Sequence, residues 1–243
     1  MDGVAALLSR LSRRLADRKR LELVRPRAAA VLLPLVGAEG GLSLLMTRRA
    51  AAIKQGGQVA FPGGAVDEGD ANRVDTALRE AEEEVGLPRL AVRVVGRLDD
   101  IPNYDNTQAV SPVVGYVDTA AFALDRLVPD AREVQAVFAV PLADLQTESR
   151  WTTKDFSWRG VEVQQYFFDV AEYPGAGQGE QLWGLSAYCT LGLLAALGEG
   201  GSFGGKLASL QAHYGRRLSL EGGADDGVKA PSDLYVERGR SRL

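Results

Sequence analysis

The sequence predicts an α/β or α+β sandwich with one main core. Its 243 residues are 46% apolar, which suits one large domain, or a core with appendages, better than two full domains. Apolar runs of strand length recur between residues 28 and 170, punctuated by Gly and Pro. Two other segments, 71–85 and 185–197, have helical length. Strands mixed with two long helices bury their apolar faces best as stacked layers.

Each element follows from its residues. Val4, Leu7, Leu8, Leu11 and Leu15 fall at helical spacing with arginines opposite, so residues 4–20 read as an amphipathic helix. A membrane-surface or import helix would share that pattern. Asp17 and Glu22 dilute its basic character, so leucines packed on the body are the preferred reading. Ala28 to Val36 and Leu42 to Arg48 are apolar strands joined by the turn Ala38-Glu39-Gly40-Gly41. Gln58 to Phe61 is a short strand ending at Pro62-Gly63-Gly64, and Ala71 to Val85 is the strongest helix. Strands are expected at Ala91 to Leu98, Ala109 to Val117, Val134 to Val140 and Val163 to Val170, and a second apolar helix at Leu185 to Leu197. Tyr173 to Glu180 reads as a surface loop, and the five glycines from Gly198 to Gly205 are expected to end the compact body. The expected organisation is an amphipathic segment over 1–27, the main domain over 28–198, and a Gly-rich linker and flexible tail over 199–243.

Composition narrows the chemistry. No apolar run approaches the roughly 20 residues of a membrane helix, so no membrane span is expected. A lone cysteine, Cys189, allows no intrachain disulfide and fits a reducing compartment. A lone histidine, His213, argues against a His-rich zinc site and against Ser-His-Asp or Cys-His catalysis. Carboxylates are the expected reactive groups. Residues 1–27 hold eight of the 28 Lys/Arg and three of the 32 Asp/Glu, leaving 20 against 29 in the rest. An acidic body argues against a nucleic-acid partner and suits a divalent cation.

The helix over 71–85 carries the clearest constellation. Val74, Leu78, Ala81 and Val85 form an apolar stripe, and Glu80, Glu83 and Glu84 share an arc of about 100° beside it. Carboxylates so grouped repel one another, and a hard cation such as Mg²⁺ or Mn²⁺ relieves that repulsion. Arg79, one turn before Glu83, can pair with it and fix its rotamer. Taken alone, such a run also describes an ordinary solvated acidic face. The preceding Pro62-Gly63-Gly64 shifts the weighing, since glycines let backbone approach a ligand closely.

The stretch from Phe61 to Leu87 resembles the Nudix box, G-x5-E-x7-R-E-U-x-E-E-x-G-U with U aliphatic. Arg79, Glu80, Ala81, Glu83, Glu84, Gly86 and Leu87 match its second half. Its first half departs, because Asp70 stands six after Gly64 in place of Glu, and eight residues separate it from Arg79. That longer spacing is similar to the coenzyme A pyrophosphatase branch. So is the upstream run, in which Leu44, Leu45, Arg48, Gly57 and Phe61 to Gly64 are in register. Met46, Arg49 and Ile53 depart from that run, where Thr, a small residue and Arg are expected. The similarity spans about residues 28–198.

The resemblance implies an α/β/α sandwich with a mixed sheet and a loop-helix-loop catalytic motif. It implies hydrolysis of coenzyme A or acyl-CoA to 3′,5′-ADP and (acyl-)4′-phosphopantetheine, with Mg²⁺ or Mn²⁺ on Glu80, Glu83 and Glu84. Glu83 and Arg79 are the expected catalytic residues, and Arg48, Lys54, Gln58, Gly63 and Gly64 the expected substrate contacts. Lys54 stands beside Ile53 and can supply the cation missing there. Glu133 and Asp144 compete with Glu83 as general base. Other nucleoside diphosphate derivatives such as ADP-ribose or NADH, and a non-catalytic nucleotide-binding module, are the alternatives. The final Ser241-Arg242-Leu243 matches a peroxisomal address read by an import receptor, with the cytoplasm as the expectation for a bacterial source.

Overall fold

The computed structural model describes residues 2–17, 20–38, 41–103, 107–158, 161–178, 180–198 and 202–208. The chain runs through α1 (Asp2–Asp17), β1 (Arg27–Ala38), β2 (Gly41–Arg49), β3 (Val59–Ala60), β4 (Gly63–Ala65) and α2 (Arg73–Val85). It continues through β5 (Val92–Arg97), β6 (Ile101–Pro102), β7 (Gln108–Val117), β8 (Val134–Pro141) and α3 (Leu142–Leu145). It then forms β9 (Trp151–Trp158), β10 (Val161–Asp169), β11 (Gln181–Leu182) and α4 (Gly184–Leu197). The main sheet has the order β3-β2-β1-β7-β5, with β4 on β1, β6 on β7 and β8 on β2. It is mixed, because β1 and β7 run parallel while β1 pairs antiparallel with β2.

Both faces of this sheet are covered, so β1 is apolar from Ala28 onward rather than alternating. Its Ala30, Leu32 and Val36 pack with Ala77, Ala81 and Val85 of α2. Its Leu33 and Leu35 join Leu8, Leu11 and Leu15 of α1 and Leu191, Leu193 and Leu194 of α4. The result is an α/β/α sandwich with a small antiparallel sheet, β11-β10-β9, at its side. No helix among the described residues is long and apolar enough to cross a membrane.

The first helix and residues 202–208 are fastened to this body. Arg14 of α1 donates to the carbonyls of Ala196, Leu197 and Gly198, capping the C-terminus of α4. The glycine-rich stretch turns back instead of leaving: residues 202–208 are helical, and Phe203 and Leu207 pack against the core. Residues 209–243, with His213 and Ser241-Arg242-Leu243, lie outside the described residues. Four strands have no counterpart in the sequence reading, the two-residue β6 and β11 among them. β4 forms within the glycine run, and β9 carries Thr152, Thr153, Lys154 and Asp155 on an exposed ribbon, a polar stretch with weak strand signal.

Candidate active site

The site is built around α2 and the loop before it. Asn72 caps the helix by accepting from the Val74 and Asp75 N–H groups, which starts α2 at Arg73 rather than Ala71. Gly86 ends it in the left-handed conformation. Beyond that cap, the Val128 N–H donates to the Val85 carbonyl and the Asp130 N–H to the Glu84 carbonyl. These bonds bring the loop before β8, and with it Glu133, to the end of α2.

Arg79 is the hub. Its Nε donates to Asp70 Oδ1 at 2.9 Å and one terminal nitrogen to Asp70 Oδ2 at 3.0 Å. That same nitrogen reaches the Ala65 carbonyl and Glu80 Oε1, each at 3.0 Å, and the other terminal nitrogen reaches Glu83 Oε2 at 2.9 Å. The Asp70 side chain is shielded from solvent, and the Arg79 guanidinium holds its carboxyl well below the usual range. Asp70 in turn pushes Arg79 above its usual range. The departure at Asp70 thus places a shorter acid on the arginine, where it clamps the loop to the helix.

The three glutamates separate in the fold. The buried face of α2 is Thr76, Ala77, Ala81, Glu84 and Val85, while Val74 and Leu78 are only half-buried. The stripe is therefore rotated toward Glu84, which is 6% exposed, and away from Glu83, which points to solvent. Burial pushes Glu84 up to about 7, opposed by the Gly63 N–H at 3.0 Å and reinforced by the charges of Glu80 and Glu133. Burial also raises Glu80, and Arg79 opposes that shift. Glu80, Glu84 and Glu133 act on one another electrostatically, and the positive charge of Arg49 acts on Glu84.

The glycines serve this cluster in an unexpected way. A Cβ on Gly64 would lie 2.6 Å from the Glu80 carboxylate, and one on Gly63 would lie 2.4 Å from the Ala30 carbonyl. Their missing side chains let β4 lie on β1 and let Glu80 tuck beneath it, so the close approach is to the protein's own carboxylate.

The predicted substrate contacts divide. Arg48 lies on the face of β2 shared with Leu44 and Met46, away from α2, and donates to Gln135 Oε1 at 3.0 Å and the Ala176 carbonyl. Its neighbour Arg49 lies on the α2 face, whose apolar member on β2 is Leu45. Lys54 is exposed in the turn between β2 and β3, and half-buried Gln58 closes that turn through its backbone. Asp144 accepts from the Tyr173 hydroxyl at 2.8 Å and pairs with Arg150. It follows the far end of β8, about 20 Å along the strand from Glu133. Glu133 is therefore the one of the two that joins the cluster. The alternation of Leu45, Thr47 and Arg49 on one side of β2 was the sequence signal for Arg49.

The donor set fits a hard divalent cation. Buried Glu84 and half-buried Glu80 crowd together with exposed Glu133, and one backbone N–H and Arg79 are the partners that offset their charge. Among the described residues no three carboxylates surround one point, and Arg79 pairs with both Glu80 and Glu83.

A family model for the NUDIX domain matches residues 25–173. The chain is 38% identical over 162 residues to the uncharacterized Nudix hydrolase NudL of Photorhabdus laumondii, covering 66% of this chain and 80% of that one. It is 42% identical over 180 residues to the NudL of an Enterobacter species, covering 69% of this chain and 86% of the relative. Among solved structures, the Nudix hydrolase RenU of M. smegmatis matches with a TM-score of 0.42 and 26% identity, covering 52% of this chain and 76% of that one.

Proposed function

Because this chain belongs to the Nudix family, hydrolases of pyrophosphate bonds that generally use divalent metal ions, we propose that it cleaves coenzyme A or an acyl-CoA. The products are then 3′,5′-ADP and (acyl-)4′-phosphopantetheine. The observation that carries the substrate is the run from Leu44 to Gly64, folded as β2, a turn, β3 and β4 beside the glutamates. That run presents Lys54 at its exposed turn, where a substrate's 3′-phosphate can be met.

In this reading Glu80 and Glu84, with Glu83 or Glu133, hold Mg²⁺ or Mn²⁺. Such an ion offsets charge on the diphosphate oxygens and lowers the pKa of the attacking water. Arg79 keeps Glu80 and Glu83 oriented, and Asp70 keeps Arg79 in place. Glu133 or Glu83 takes the water's proton as its oxygen bonds to one phosphorus. The bridging P–O bond breaks, and its electron pair leaves with the second phosphate. The relatives described above are bacterial, so a cytoplasmic enzyme is the localisation we propose, and Ser241-Arg242-Leu243 would be an address only in a cell with peroxisomes.

The test is kcat/KM for coenzyme A, dephospho-coenzyme A and ADP-ribose, with products identified by mass, for wild type and Lys54→Ala. A charge-assisted contact to the 3′-phosphate should favour coenzyme A about 10- to 100-fold, and Lys54→Ala should shrink that preference. ADP-ribose as the best substrate would overturn the substrate assignment.

A further inference from the structure

We infer that Arg49 is the residue that grips the substrate's diphosphate beside the glutamate cluster. This rests on the diphosphatase reading above and adds to it a residue that reading does not use. Arg49 ends β2 where the ladder to β8 slips by one residue, Arg48 pairing with Ala136 and Arg49 with Val134. The extra residue of the slip is Gln135 on β8, and the pleat of β2 turns the two arginines to opposite faces: Arg48 binds Gln135 and the Ala176 carbonyl, and Arg49 faces α2.

The backbone around Arg49 is pinned on both sides. Its N–H donates to the Gln58 carbonyl at 3.0 Å, its carbonyl accepts from Gly57 at 3.0 Å, and the Ala50 N–H donates to the Glu133 carbonyl at 2.8 Å. Arg49 is half-buried on this base, its charge acts on Glu84, and the residue that follows it is bonded to the backbone of Glu133. Its Nε is buried and has no hydrogen-bond partner among the described residues. Nor does Arg49 form an ion pair with a described carboxylate, although its charge acts on Glu84.

A counterion built only to neutralise Glu84 would make contact with it. A half-buried guanidinium held near a carboxylate cluster, whose terminal nitrogens bond to no described residue, is instead arranged for an anion that arrives from outside. The planar fork of arginine matches a phosphate edge. The anion drawn to a metal-binding carboxylate cluster is the diphosphate, so that is the group Arg49 meets. The sequence departures agree with this. The turn from Ala50 to Gly57 closes on Arg49, so the cation at 49 and the apolar Ile53 belong to one turn.

Because every substrate of the class shares the diphosphate, Arg49 should set affinity without setting preference. The full-length protein, Arg49→Ala and Arg49→Lys are titrated calorimetrically with adenosine diphosphate in Mg²⁺, and KM and kcat are measured for coenzyme A and ADP-ribose. Arg49→Ala should weaken adenosine diphosphate and raise KM about 10- to 100-fold for both substrates, with a smaller loss in kcat, and Arg49→Lys should fall between. Arg49→Gln gives the same comparison if Arg49→Ala does not fold. Unchanged affinity in a variant that still cleaves coenzyme A overturns the inference and leaves the diphosphatase reading standing. Cleavage of ADP-ribose but not coenzyme A by wild type overturns the substrate reading, and the loss of affinity on adenosine diphosphate and ADP-ribose still supports Arg49. Failure of wild type to bind adenosine diphosphate overturns the inference.

Discussion

Replacing Glu84 by Gln should stabilise the metal-free protein at pH 8 and leave it nearly unchanged at pH 5. Burial holds the Glu84 carboxyl at about 7 in the folded chain against an ordinary 4.5. The folded state therefore keeps its proton to higher pH than the unfolded state does. The stability this gives is complete below about 4.5 and is lost as pH rises through about 7. The gap corresponds to at most about 3 kcal/mol, with little discount for solvent because the side chain is 6% exposed. For a chain of this size that is about 5–10 °C in Tm. Gln carries no charge to desolvate and keeps an oxygen to accept the Gly63 N–H. The assay is scanning calorimetry in a chelator at pH 5, 6, 7 and 8. Wild type should lose stability across that window while Glu84→Gln does not, and Mg²⁺ should recover the loss in wild type only. A variant less stable than wild type at pH 8 would mean that ionised Glu84 is a structural partner rather than a strained one.

Two further changes probe the same cluster. With Mg²⁺ or Mn²⁺ present, Glu80→Gln and Glu84→Gln should each lower kcat at least about 10²-fold, read in steady-state hydrolysis, since each removes charge that supports the transition state; near-wild-type turnover in both would remove the metal assignment. Arg79→Ala should cost about 3–5 kcal/mol in denaturant unfolding, because it strands the buried Asp70 carboxylate, and an unchanged midpoint would show that the clamp contributes nothing to the fold.

The layers of the fold were legible because burial writes itself into sequence. β1 had to be apolar on both sides, and α4 all around, to sit between other layers. The same periodicity was less able to divide the labour among charges. It grouped Glu80, Glu83 and Glu84 on one arc, but an arc of 100° spans the boundary between core and solvent. Which glutamate falls on the dry side depends on where β4 crosses the helix, and two glycines with no side chain to report set that crossing. Glu133 could be named from the sequence but not chosen over Asp144, for a related reason. It reaches the cluster through backbone bonds from the loop before β8 to the last turn of α2, and any sequence can make such bonds. Arg49 was the reverse case, a residue whose alternation on β2 pointed inward while its charge suggested a solvated strand end. In a strand bounded by metal-seeking carboxylates the geometric signal outweighs the compositional one. An arginine turned to that side is held there by its backbone, and its guanidinium, bonded to no described residue, is free to take the phosphate edge proposed for it.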